Sequence, residues 1–220
     1  MTKQWVAVYS ITDFISVCML LSVVALNSVR RIETCLRAYT LNSLLLALLM
    51  GVSAFYLNVA HLYIAAIVTL ATKGLVIPHL LRKVVKSLKV TREVEPYINT
   101  PLSLVISSIL VVVVYSSLSK GIFIEGFAEN TLKVSVSIIL ISLFIMMSRK
   151  KAITQVIGLL MMENGLFLAG FSLTYGMPTV IELGVLFDML MGVIILGVFL
   201  SQIKKAFVSV DLDKLTTLKG

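Results

Sequence analysis

Charged side chains are scarce in this chain of 220 residues, and several chemistry-bearing residue types are nearly absent. There are two cysteines, Cys18 and Cys35, and two histidines, and none of them lies near another in the sequence. This distribution argues against a disulfide framework, a cysteine-bound iron–sulfur cluster, a metal site and paired histidine ligands for haem. No glycine-rich phosphate-binding loop is present either. The chain is therefore expected to hold no cofactor and no catalytic residue of its own.

The sequence is rich in apolar residues, more than a soluble domain of this size could bury. It is 59% hydrophobic and only 14% charged, with a mean hydropathy of +1.03. The apolar runs are continuous rather than alternating, which favours helices over a barrel. We predict an all-α, polytopic transmembrane helical bundle of about seven spans. Their predicted positions are 5–27, 36–57, 61–81, 101–119, 131–148, 152–173 and 180–203.

Lysine and arginine alternate between the two sides of these spans, which predicts the orientation of the chain. The basic residues of the first, third and fifth loops and of the tail fall on one side, as the run from Arg149 to Lys151 illustrates. The opposite side has only Lys3, Lys120 and Lys133. The N-terminus is therefore expected outside the cell and the C-terminus in the cytoplasm, with the chain a multi-pass protein of the cell membrane. The net charge of +8 is a topology signal, so nucleic acid is not an expected partner.

The longest cytoplasmic connection runs from Arg82 to Thr100 and suggests how the chain is divided. It is expected to extend the third helix as an amphipathic stretch until Pro96 and Pro101 stop it. No internal repeat or low-complexity segment is evident. The predicted parts are a three-span N-terminal part with its cytoplasmic loop, a fourth span with an outer loop, a three-helix unit and a cytoplasmic tail: 1–100, 101–130, 131–203 and 204–220.

Three ionisable residues are expected deep in the spans, namely Lys73, Glu163 and Asp188. A charged group at the bilayer centre costs a few kcal/mol on insertion scales, and such groups mark proton or ion pathways by default. Burial disfavours the charged form of a carboxylic acid and of a lysine alike. Each group could therefore exchange a proton near neutral pH. The competing interpretation is a structural ion pair or a buried hydrogen bond.

The two acids are expected at similar depth on neighbouring antiparallel helices. Glu163 is twelve residues after Lys151, or ~18 Å along a helix, and Asp188 is sixteen residues before Lys204, or ~24 Å. Gly184 and Gly192 flank Asp188 on one face, which would let another helix approach and leave room for water. We therefore predict a Glu163–Asp188 proton relay. Glycine-mediated packing with a tolerated aspartate is the alternative.

Lys73 lies in a polar segment that contains Gly74 and ends at Pro78 and His79. Pro78 removes a backbone donor one turn later, so a bent helix with an internally directed lysine is predicted. In the alternative, Lys73 reaches toward the cytoplasmic interface. His79 is a secondary relay candidate at the cytoplasmic mouth.

Three further ionisable residues are secondary candidates. Glu182 lies near the outer end of the last span, shallower than Asp188. Glu33 and Arg37 are four residues apart at the start of the second helix, where a local ion pair is expected.

The last three spans resemble the K subunit of respiratory complex I and the C subunit of multi-subunit cation/proton antiporters. The resemblance rests on the basic loop Ser148–Lys151, on Glu163 with Asn164 in the sixth span, and on Asp188 followed by Gly192 in the last. There are two departures. Leu160 occupies the position expected for the first acid, which comes one turn later, and the second acid is aspartate rather than glutamate.

The four preceding spans, including the segment from Thr72 to Pro78, make the whole chain similar to hydrogenase-4 component E. The resemblance implies a non-catalytic membrane subunit of an energy-converting [NiFe] hydrogenase or formate hydrogenlyase, which is an oxidoreductase complex. It also implies antiporter-like membrane subunits and a hydrophilic hydrogenase arm as partners, with the nickel–iron site and iron–sulfur clusters in that arm. Proton or coupled Na⁺ translocation would pass through Glu163 and Asp188, with Lys73 biasing their proton occupancy.

Three other functions remain open at this stage. The chain could be a structural or assembly anchor of the same kind of complex, with its acids used for helix pairing. It could be a subunit of a multi-subunit cation/proton antiporter. A stand-alone secondary transporter is disfavoured, because no inverted repeat or paired broken helices are evident.

Overall fold

A computed structural model describes residues 3–58, 60–87, 97–118 and 127–174, together with Gly184 and Gly192. Within these residues the regular structure is helical, which confirms the predicted all-α bundle. The helices are α1 Lys3–Ser28, α2 Ile32–Leu57, α3 Ala60–Thr69, a π-helical segment Leu70–Val76, α4 Ile77–Ser87, α5 Thr100–Leu118, α6 Phe127–Ser148 and α7 Ala152–Thr174.

Six stretches of the described chain are long and apolar enough to cross a bilayer, so this is a multi-pass membrane protein. They are Ser10–Ser28, Ile32–Tyr56, Ala60–Lys86, Thr100–Leu118, Glu129–Ser148 and Ala152–Leu173. These match the first six predicted spans. The third is longer than expected, because α4 continues it through Lys86. The seventh predicted span, 180–203, lies outside the described residues except for Gly184 and Gly192, which are both helical.

Helix α2 is the centre of the described bundle. It packs against α1 and α3, against the π-helical segment and α4, and against α7. Helix α6 packs along α7 and α1, while α5 lies at the edge against α1 and α6. The core between them is apolar, with fully buried side chains such as Met19 on α1, Leu46 on α2 and Leu160 on α7. In lipid each helix satisfies its own backbone hydrogen bonds, so even the valine-rich α5 is helical.

The two N-terminal helices α1 and α2 are in direct contact with α6 and α7. Helix α1 packs on α6, and α2 packs on α7. Arg149 strengthens the junction, because its guanidinium donates to the carbonyl oxygens of Leu26, Asn27 and Val29 at the end of α1. Arg149 is only 4% exposed, so this residue is both a topology signal and a buried cap on α1. The division into four parts at 100, 130 and 203 stays a prediction.

Gly165 lets α6 and α7 pack closely. A Cβ atom at Gly165 would lie 2.8 Å from Ile138 Cγ2 and 3.2 Å from the backbone nitrogen of Ile139. We expect Gly165→Ala to reduce the free energy of unfolding by about 1–3 kcal/mol, because overpacking forces the helices apart. Unfolding in detergent micelles with a rising fraction of dodecyl sulfate measures this change.

The matched control is Gly51→Ala on α2, where an added Cβ meets nothing within 4 Å among the described residues. That variant should be as stable as the parent or slightly more so, since alanine favours helix. Equal losses of unfolding free energy in the two variants would mean that replacing a helical glycine, and not overpacking at the α6–α7 contact, lowers the stability.

Candidate functional site

The bundle interior holds an ion pair between Lys73 and Glu163. Lys73 Nζ lies 3.3 Å from Glu163 Oε1. Lys73 is 1% exposed and Glu163 is 6% exposed, so both groups are removed from lipid and water. The predicted inward direction of Lys73 is therefore confirmed, and the interfacial alternative is wrong. The Phe167 ring also faces the ammonium, with 5.7 Å between Nζ and the ring centroid.

The π-helical segment Leu70–Val76 positions Lys73. The backbone N–H of Ile77 donates to the carbonyl oxygen of Thr72, five residues earlier, which gives the wide turn. Pro78 has no N–H, so it leaves the carbonyl of Gly74 without its helical donor and favours this break in the α-helical pattern. Lys73 is buried on the inner side of the wide turn, Gly74 is also buried, and Leu75 is exposed on the outer side. The sequence predicted a local distortion here, and the structure specifies its form.

A chain of buried amides fixes α7 beside Glu163. Asn164 donates to Asn42 Oδ1 and to Ser43 Oγ, both at 3.0 Å. Asn42 in turn donates to Ser22 Oγ and to the carbonyl oxygen of Met19. The chain links α7, α2 and α1, and a rotation of α7 would break it. Sequence reasoning missed Asn42, although an asparagine inside an apolar run is itself a signal of interhelical hydrogen bonding.

Two polar atoms near the α6–α7 contact have spare hydrogen-bonding capacity. Asn164 Oδ1 and Ser142 Oγ are buried and have no hydrogen-bond partner among the residues described. Buried polar groups are normally satisfied by protein or by ordered water. Each of these atoms therefore marks a position where an ordered water could bind.

A second polar cluster lies at the other end of α1 and α6, on the side predicted to be outside. Asn130 and Thr131 donate to the two carboxylate oxygens of Asp13, each at 3.4 Å. Lys133 pairs with Glu129 on the same helix. Asp13 lies within the predicted first span 5–27 and was not among the residues predicted to form a site.

The remaining predicted site residues do not join the pair in the described structure. His79, Glu33 and Arg37 are exposed. Glu33 and Arg37 form no ion pair with each other, so the local pair predicted from their spacing is wrong. Asp188 and Glu182 lie outside the described residues. Gly184, four residues before Asp188, is buried and packs on the Phe167 ring, since a Cβ there would fall 2.1 Å from Phe167 Cε2.

The chain is similar to one protein over most of its length. It is 35% identical over 164 residues to the uncharacterised protein Rv0085 of Mycobacterium tuberculosis, which covers 74% of each chain. The chain belongs to the Rv0085 family. No protein-family model matches the sequence. No solved structure is significantly similar to the chain.

A more distant similarity connects this chain with hydrogenase-4 component E. The chain is 28% identical over 92 residues to hydrogenase-4 component E of Escherichia coli strain K12. The aligned part covers 42% of this chain and 43% of component E, and the same values hold for component E of Shigella flexneri. This similarity supports a relationship to a family that includes component E. Less than half of either protein is aligned.

Proposed function

We propose that this chain is a non-catalytic membrane subunit of a redox-driven, ion-translocating complex of the hydrogenase-4 type. The observation that carries the proposal is the buried Lys73–Glu163 ion pair within helices that span the bilayer. Desolvating two charges costs several kcal/mol per ion, and well-packed apolar residues often stabilise a fold better than such a pair does. A pair retained at this depth is best explained by the ability of its members to exchange a proton.

The proposed relay uses three groups. A proton reaching Glu163 neutralises the carboxylate and removes the attraction that holds the ammonium of Lys73 at 3.3 Å. Lys73 in turn biases whether Glu163 holds a proton, because a nearby positive charge stabilises the ionised carboxylate. Asp188 is the proposed next station. Its support is the contact of Gly184 with Phe167, the same ring that faces Lys73. The transported ion is a proton, or Na⁺ coupled to one.

The proposed setting of the relay is a prokaryotic inner-membrane complex. The distant similarity to hydrogenase-4 component E supports this assignment. Antiporter-like membrane subunits and a hydrophilic hydrogenase arm are the proposed partners. That arm would carry the nickel–iron site and the iron–sulfur clusters, so this chain contributes to an oxidoreductase without binding a cofactor.

A structural anchor in the same kind of complex is the second candidate function. The hydrogen bonds from Asn164 to Asn42 and Ser43 favour it, because they fasten α7 to α2 without needing any proton transfer. Under this alternative Lys73 and Glu163 serve to align helices. The two functions differ in whether ion movement depends on the acid at Glu163.

Affinity purification from native membranes in mild detergent tests membership of the complex. We expect hydrogenase-type and antiporter-like subunits to co-purify with the tagged chain. Inverted membrane vesicles from a strain that lacks the chain should lose acidification driven by the electron donor, and the restored gene should return it. A chain that purifies alone and transports ions by itself after reconstitution would contradict the proposal and indicate a stand-alone transporter.

A further inference from the structure

The back of the π-helical segment forms one wall of a hollow on the outer surface of the bundle. This hollow, of about 650 Å³, lies between α2 and α4. Its wall includes Leu44, Gly74 and Leu75, and its far end carries His79 and Arg82. The volume falls within the range of about 300–1,000 Å³ that is typical of small-molecule sites.

A second hollow of about 680 Å³ continues from Leu44 toward the other membrane face, between α2 and α3. Its lining is apolar and aromatic, and it includes Gly51, Phe55 and Tyr63. Because Leu44 lines both hollows, they lie next to each other along α2. We name the two hollows together the α2–α4 groove.

The charge is confined to one end of the α2–α4 groove. Arg82 and His79 are exposed there, and Arg37 is exposed on α2 one turn before the lining residue Thr40. The alternation of basic residues places this end at the cytoplasmic face. An apolar trough with a basic cytoplasmic mouth has the two features that a phospholipid with an anionic headgroup requires.

A partner's transmembrane helix fits these features less well. Such a helix would cover Arg82 and His79 and would have to supply an acid at that depth, because an unpaired buried charge is costly. A lipid phosphate lies at headgroup depth and meets both side chains without burying them. Arginine also suits phosphate geometry, because its guanidinium can donate two parallel hydrogen bonds.

We propose that the cytoplasmic half of the α2–α4 groove binds an anionic phospholipid, whose phosphate contacts Arg82 and His79 and whose acyl chain lies along Gly74, Leu75 and Leu44. The bound chain covers the outer side of the wide turn that carries Lys73 on its inner side. The bound lipid thereby stabilises the π-helical segment by packing against its outer side. This inference does not depend on the proposed function.

Photo-crosslinking tests this site on the full purified chain. The chain is reconstituted into phosphatidylcholine vesicles with a trace of phosphatidylglycerol that carries a photoreactive group on its acyl chain. We expect crosslinks on the peptides that contain Leu44 and Leu75. The same reactive acyl chain on phosphatidylcholine should label them about fivefold less, since a basic residue near the surface contributes about that factor in affinity for anionic lipid.

Three variants make the test specific. Arg82→Gln should lower phosphatidylglycerol labelling about fivefold. Lys83→Gln is the matched control, because Lys83 is an exposed basic residue on the same helix that does not line the hollow, and labelling should fall much less than in Arg82→Gln. Val76→Trp fills the hollow while keeping its charge, so it should also abolish the preference, and it keeps the test decisive if Arg82→Gln fails to fold.

Two outcomes would overturn the proposal. Equal labelling by both lipids, or an equal loss in Lys83→Gln, would mean a general electrostatic effect of the membrane surface. Labelling that occurs in the isolated chain and disappears in native membranes would assign the groove to another protein's helix instead.

Discussion

Lys73→Met alone is expected to reduce the free energy of unfolding by about 3–5 kcal/mol, the usual effect of breaking a buried ion pair by removing one partner. The physical reason is that Glu163, which is 6% exposed, keeps its buried carboxylate after the ammonium at 3.3 Å is gone. Methionine has a similar length and no charge, so packing against Phe167 is largely retained. Unfolding in mixed micelles with a rising fraction of dodecyl sulfate measures the loss.

The double variant Lys73→Met/Glu163→Gln distinguishes the cost of an unpaired buried charge from the cost of losing the packing of Lys73. It should recover most of the stability lost in Lys73→Met, because neither charge is then left uncompensated. Lys86→Met removes an exposed lysine from α4 and is the control, with an expected change within about 0.5 kcal/mol. A double variant as unstable as Lys73→Met would contradict this explanation, because removing the second charge would then relieve nothing.

Glu163→Gln is expected to lower ion translocation by about 100-fold or more while the complex stays assembled, as the loss of an acid–base group does. Glutamine keeps the size and the hydrogen-bonding capacity of glutamate but cannot take up and release a proton at neutral pH. This variant also leaves the buried Lys73 ammonium without its carboxylate, which costs stability. The hydrogen bonds from Asn164 to Asn42 and Ser43 are nevertheless expected to keep α7 in place. Acidification of inverted vesicles, measured together with co-purification of the partners, gives both readouts.

Glu33→Gln is the matched control for that experiment. It makes the same chemical change at an exposed acid on α2 that has no place in the Lys73–Glu163 pair. Translocation should be unaffected. Undiminished translocation in Glu163→Gln would rule out the relay, whereas loss of the assembled complex in that variant would favour the anchoring function.

Hydropathy and the charge pattern were enough to predict six of the helices and their nature. A run of about 20 apolar residues leaves the backbone no option in lipid other than a helix. The depth of Glu163 followed from counting residues in such a run. The inward direction of Lys73 was predicted from the polar segment that ends at Pro78, and the burial of Lys73 confirms it.

The partner of Glu163 could not be predicted in this way. Sequence reasoning paired it with Asp188, because helices joined by a short turn are expected to be neighbours. The described structure pairs it with Lys73, which is 90 residues earlier in the chain. Leu160, at the position where the resemblance predicted an acid, is fully buried in the apolar core, and Glu163 faces the wide turn. The Glu163–Asp188 relay stays a prediction.

By itself the sequence determined a multi-pass helical protein with a carboxylate and an ammonium at membrane depth, because apolar length and backbone hydrogen bonding are local properties. The tertiary structure alone decided which groups meet. That outcome depends on the rotation of each helix about its axis, which the π-helical turn sets for Lys73 and the Asn164–Asn42 contact sets for Glu163. A rotation of this kind follows from packing across α1, α2 and α7, and no single run of residues specifies it.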